Sequence, residues 1–102
     1  MMVVTLTAQD IDCVYAQIAA LAAQAGARRV VLFGSRATGC AQAKSDIDLA
    51  IEGCPHFDVL SDRLQNELWS LLALDIINLD EPISDELRAE IERDGVVLYE
   101  EV

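Results

Sequence analysis

Basic residues are scarce in this 102-residue chain: seven lysines and arginines stand against 18 acids, for a formal net charge of -11. Five of the seven, Arg28, Arg29, Arg36, Lys44 and Arg63, precede Asp75, too few to form a stripe along a nucleic acid. Direct binding of DNA or RNA is therefore not expected, because the chain repels a polyanion unless a local patch or bound metal intervenes. Long apolar runs are missing as well. The longest is too short for a bilayer, and no charged, apolar and cleavage-site segments line up at the N-terminus, so the expectation is no membrane span and a cytoplasmic location. Cysteine is limited to Cys13, Cys40 and Cys54, an odd set without metal-ligand spacing that reads as reduced thiols. The single histidine, His56, follows Pro55 with no companion ligand and is expected in a loop. No repeat, linker or low-complexity segment interrupts the chain. The loop after Gly34 carries neither the G-x-x-x-x-G-K-[ST] of a P-loop nor the G-x-G-x-x-G of a dinucleotide fold.

What is present suits one folded domain over residues 1–102: 53% of residues are hydrophobic and 25% charged, enough for a core and too apolar for disorder. Helix and strand signals alternate, which predicts an α/β or α+β layer architecture. Thr7 and Asp10 resemble a capping box ahead of Ile11, Val14, Tyr15, Ile18, Leu21, Ala22 and Ala25, which recur at helical spacing up to Gly26. Arg28 to Phe33 reads as a buried strand ended by Gly34. After a polar loop from Ser35 to Ser45, a second strand runs from Asp46 to Ile51, closed by Gly53, Cys54 and Pro55. A helical pattern then begins at Phe57 and continues through Leu60, Leu64, Leu68 and Leu71 or Leu72, with Trp69 packing beside it. Leu74 to Leu79 is the third strand. Ser84 is the expected N-cap of a helix carrying Asp85 and Glu86 in its first turn, with Leu87 and Ile91 on its buried side and Gly95 at its end. Val96 to Tyr99 closes the series. The reading is three long helices and four strands, with any extra turn inside the loop after Gly34. Ten of the 18 acids lie from Asp75 onward, a solvated face or, more sharply, a surface for a basic protein partner.

Chemistry is suggested by three features. Asp46 and Asp48 alternate with Ile47, Leu49 and Ile51, so both acids share one face of a strand, roughly 7 Å apart at the backbone. A strand interior normally rejects aspartate, so the pair is either solvent-facing or matched to a hard cation. Gly34-Ser35 directly follows a strand, where a glycine lets the backbone turn sharply against a phosphate and a serine hydroxyl can bond its oxygens. Arg36 and Lys44 could add charge to the same polyphosphate. Asp75, embedded in Leu74-Asp75-Ile76-Ile77, is expected to be buried and so to need a partner.

The string Phe33-Gly34-Ser35-Arg36-Ala37-Thr38-Gly39, followed by Lys44-Ser45-Asp46-Ile47-Asp48-Leu49-Ala50-Ile51, resembles the signature of minimal nucleotidyltransferase domains of the DNA polymerase beta superfamily. Asp75, in a later strand ahead of a helix and Gly95-Val96-Val97-Leu98-Tyr99, resembles that family's third carboxylate. The resemblance implies a small, mixed, mostly antiparallel sheet with helices packed on one side. It implies two Mg²⁺ ions on Asp46, Asp48 and Asp75, with Asp75 helping to activate an acceptor hydroxyl. Gly34 and Ser35 would hold the β- and γ-phosphates of ATP, with Arg36, Gly39, Lys44 and Ser45 in supporting roles. Minimal members of this look are commonly paired with a small helical HEPN protein, often a ribonuclease toxin, to which they attach AMP as its antitoxin. The competing expectation is an antitoxin or assembly subunit that acts by binding alone.

Overall fold

The computed structural model describes residues 11–41, 45–68 and 72–101. The capping box at Thr7 and Asp10, and the residues Lys44, Trp69 and Leu71, lie outside them. Helix α1 spans Ile11–Gln24 and turns its Val14, Ile18 and Ala22 side inward. Strand β1 follows at Arg29–Phe33, then the single turn α2 at Ser35–Thr38, inside the loop where an extra turn was anticipated. Strand β2 is Ile47–Glu52, helix α3 Phe57–Glu67, strand β3 Leu74–Asn78, helix α4 Asp85–Asp94 and strand β4 Val96–Glu100. Helix α3 stops short of the Leu71 or Leu72 expected from its pattern, because Leu68 is already extended at φ -70° and ψ 130°. Ser84 caps α4 as expected, its hydroxyl accepting from the Leu87 N–H at 3.1 Å.

The four strands form one sheet in the order β3-β2-β1-β4. Strand β1 pairs antiparallel with both β2 and β4, and β2 pairs parallel with β3. The sheet is thus mixed and mostly antiparallel. Only the parallel pair needs a crossover, and α3 supplies it. The pairing with β4 shifts register between Val30 and Val31, which places a bulge at the edge of the sheet.

Alternation along the strands sorts the side chains onto two faces. Val30 and Leu32 of β1 and Ile47, Leu49 and Ile51 of β2 pack against Val14, Ile18 and Ala22 of α1 and Leu60 and Leu64 of α3. Ile18, Ile47, Leu49, Ile51 and Leu60 are wholly excluded from solvent. Each such residue contributes roughly 1.5–3 kcal/mol of transfer free energy, so this face dominates stability. The expected one-sided packing describes α1 and α3. Helix α4 lies over part of the other face, where Ile91 and Leu87 meet a smaller cluster of Val31, Phe33, Ala50 and Leu79. No described helix is long and apolar enough to cross a membrane.

Candidate active site

The face that carries Phe33 and Ala50 also carries Asp48. Phe33 pairs with Asp48 across the antiparallel ladder, so the chain leaves β1 at Gly34 directly beside that carboxylate. Gly34 takes φ 75° and ψ -154°, a region that essentially only glycine occupies. A β-carbon there would fall inside the van der Waals envelope of Asp48 Oδ2. The glycine therefore serves two ends at once: the turn itself, and the close approach of the backbone to an acid.

Asp75 is brought to the same place by the parallel ladder, in which Asp48 pairs with Asp75 and Ala50 with Ile77. Residues so paired project from the same side of the sheet, so Asp75 faces the same way as Asp48. The expectation that Asp75 is buried is not met: the residue is exposed, because β3 is an edge strand and no described element covers this part of its face. Asp46 is also exposed and stands one residue ahead of β2 rather than within it.

Asp48 is half-buried, and its carboxyl is held above the ordinary aspartate value of 3.8, first by partial burial and then by the negative charges of Asp75, Asp46 and Glu90. Three chain segments thus converge their fields on one carboxylate. None of Asp46, Asp48 and Asp75 is paired with a cation among the described residues, where the ion pairs are Arg29–Glu52, Arg63–Glu67 and Arg93–Asp94. Glu90 escaped the sequence reading. It sits three residues after Leu87 and next to Ile91, at the border of the side of α4 that packs on the sheet, and that spacing was the available signal.

The Gly34-Ser35 turn is built on its own carbonyls. Gly34 C=O accepts from the N–H groups of Ala37 and Thr38, and Ser35 C=O accepts from Cys40 N–H at 3.0 Å. The Ser35 hydroxyl makes no hydrogen bond among the described residues, and Ser35 follows directly on the glycine packed against Asp48. Arg36, the next residue, directs Nε and Nη2 onto the Ser45 carbonyl at 3.0 and 2.9 Å. Ser45 is therefore drawn to α2 through its backbone. His56 is exposed at the start of α3, as expected of a loop residue. Cys40 is exposed, Cys54 buried and Cys13 half-buried on the flank of α1.

The donor set suits a hard divalent cation. Carboxylate oxygens are its preferred ligands, and the unrelieved repulsion at Asp48 is what such an ion would remove. Among the described residues no three acidic, histidine or cysteine side chains close into a ready-made cage.

The model of the family described as polymerase beta, nucleotidyltransferase, matches residues 16–102. No match was found among curated proteins. Among solved structures, one described as a candidate minimal nucleotidyltransferase superposes with a TM-score of 0.69 at 26% identity, covering 90% of this chain and 96% of that one. A toxin–antitoxin structure with AMP-PNP gives 0.66 at 23% identity, covering 85% and 73%. The toxin–antitoxin MntA-HepT gives 0.62 at 21%, covering 88% and 73%. The last two establish likeness of fold.

Proposed function

Because this chain belongs to the polymerase beta nucleotidyltransferase family, we propose that it transfers AMP from Mg²⁺-ATP to a hydroxyl of a small helical HEPN-type partner, as the antitoxin of a toxin–antitoxin pair. The observation that carries the catalytic reading is the register of Asp48 with Asp75 on one face, with Gly34 packed against the Asp48 carboxylate. The toxin–antitoxin likeness, with AMP-PNP present in one such structure, supports the nucleotide and the class of partner.

In this reading Asp46, Asp48 and Asp75 would hold two Mg²⁺ ions, which neutralise the triphosphate and polarise its α-phosphorus. Gly34 would let the polyphosphate approach the backbone, and the Ser35 hydroxyl would donate to its β- or γ-oxygens. Asp75, exposed at the sheet edge, would accept the proton of an acceptor hydroxyl arriving from solvent or from a partner's surface. The hydroxyl oxygen bonds to the α-phosphorus, the bond from that phosphorus to the β-bridging oxygen breaks, and pyrophosphate leaves. Most of the rate enhancement comes from positioning and charge neutralisation.

The test is to incubate the chain, Mg²⁺ and the partner with ATP labelled at the α- or the γ-phosphorus. Adenylyl transfer leaves the α-label on the partner and releases the γ-label as pyrophosphate. Neutralisation of the partner with neither label attached would overturn the catalytic reading in favour of binding alone.

A further inference from the structure

Arg36 carries the observation that the family signature leaves unused. A guanidinium recognises phosphate most strongly by laying one edge, two parallel N–H groups, against two oxygens. In this chain the Nε/Nη2 edge of Arg36 is already committed: both nitrogens donate to the Ser45 carbonyl, at 3.0 and 2.9 Å. Ser45 is the residue immediately before Asp46. On the other side of Asp46, the Ile47 N–H donates to the Ala73 carbonyl at 2.9 Å, which begins the parallel ladder to β3. The peptide groups flanking Asp46 are thus pinned on both sides, by an arginine from α2 and by a carbonyl leading into β3.

Such pinning matters because Asp46 has no other anchor among the described residues. It lies outside β2, its side chain is exposed, and no described residue holds its carboxylate. Asp48 needs no clamp, being fixed within the ladder opposite Phe33 and Asp75. Arg36 also follows Gly34-Ser35 directly, so one side chain ties the turn expected to meet the triphosphate to the loop end that delivers Asp46.

We infer that Arg36 is a positioning residue, whose forked hydrogen bond to the Ser45 carbonyl sets where the Asp46 carboxylate stands relative to the Gly34-Ser35 turn, rather than a ligand of the nucleotide phosphates. The inference rests on the proposed transferase reading for its kinetic consequences and on hydrogen bonding alone for its structural one. A displacement of about 1 Å at a reacting centre can cost about 10²-fold in rate. Losing the clamp is therefore expected to lower kcat and leave the nucleotide's affinity in place.

Two measurements test it. In the intact chain free of metal and nucleotide, the Arg36 Nε–H should be protected from solvent exchange by NMR, and adding AMP-PNP with Mg²⁺ should not move its resonance. Arg36→Ala and Arg36→Lys should each lower kcat by about 10²-fold, raise the Mg²⁺ concentration for half-maximal rate, and leave KM for ATP unchanged. Lysine should not rescue, since it keeps the charge but lacks the fork. An Nε–H that exchanges freely and shifts on adding nucleotide, or a raised KM with kcat retained and rescue by lysine, would overturn the inference. A wild-type chain that transfers nothing while its Arg36 Nε–H stays protected would instead remove the transferase reading and leave the clamp standing.

Discussion

The two ends of the sheet use the same materials to opposite effect. At one end Glu52 meets Arg29 across the β1–β2 pair, with Nε and Nη2 at 2.9 and 2.8 Å from one carboxylate oxygen. Glu100 lies opposite Arg29 on the other flank, and Arg28 completes a polar pocket of about 330 Å³ with Glu101. At the other end Asp48 is surrounded by Asp75, Asp46 and Glu90 and has no cation among the described residues. Each end even has its own positive-φ glycine pressed on a side chain, Gly53 on Arg28 and Gly34 on Asp48. Where acids are matched within the chain, the charge serves the fold. Where they are left unmatched, the chain has given up stability at a place suited to a ligand that brings the missing charge.

The sharpest way to break this contrast is Asp48→Asn. Transfer should fall by at least about 10³-fold, since on the proposed reading a carboxylate that would hold the metal ions is lost. The metal-free fold, however, should melt a few degrees higher. An acid whose folded-state pKa is raised binds more protons folded than unfolded between its unfolded and folded values, so stability falls as pH rises through that window. For Asp48 the window opens just above 3.8, and by neutral pH the whole penalty is present. The asparagine variant should therefore gain most at neutral pH and converge with the parent below pH 3.8. Calorimetry that finds Asp48→Asn destabilised at neutral pH would show that the carboxylate is matched after all.

Next in size is the pair of glycine variants. Gly34→Ala should cost about 1–3 kcal/mol through its Gly-only conformation and, by forcing the Asp48 carboxylate aside, about 10²-fold in rate. Gly53→Ala meets a comparable obstacle, with φ 67° and a new β-carbon 2.6 Å from Arg28 Cβ. Its stability loss should be similar and its kcat unchanged in the fraction that is folded. Equal loss of activity in both variants would mean that the two ends are not functionally distinct.

How far the site was legible in the sequence depends on how local each feature is. Gly34, Ser35, Asp46 and Asp48 lie within one short stretch, and the alternation of Ile47, Leu49 and Ile51 against Asp48 follows from strand geometry alone. The long core helices and all four strands were legible for the same reason. Non-local facts were not. That Asp75 is exposed depends on β3 being an edge strand, which no period in Leu74 to Leu79 encodes. The closeness of Glu90 to Asp48 depends on α4 crossing to the opposite face from α1 and α3. The commitment of Arg36 to the Ser45 carbonyl arises from the path of a loop, and its charge alone pointed to phosphate.

A smaller effect separates the ends by ligand rather than by mutation. Mg²⁺ at about ten times its dissociation constant should raise the stability of the parent chain by roughly 1.4 kcal/mol. Asp48→Asn should lose most of that response, and Glu52→Gln should keep it, as followed by thermal melting with and without the ion. A response to Mg²⁺ that survives in Asp48→Asn would place the ion elsewhere on this acidic chain.

The smallest effect is expected where the charges look best paired. Arg29 and Glu52 side chains each keep about a third of their surface exposed, at 35% and 34%. A pair so placed is screened by water and salt and contributes about 0–1 kcal/mol. Glu52→Gln also leaves Arg29 opposite Glu100, so the arginine keeps an acidic neighbour. Melting temperature should shift by no more than a few degrees, and the shift should shrink further in high salt. Transfer should be unaffected. Charge number is the same in Glu52→Gln and Asp48→Asn, each removing one negative charge from a strongly acidic chain. A large rate loss in Glu52→Gln would mean that net charge, and not the local convergence of acids on Asp48, governs activity.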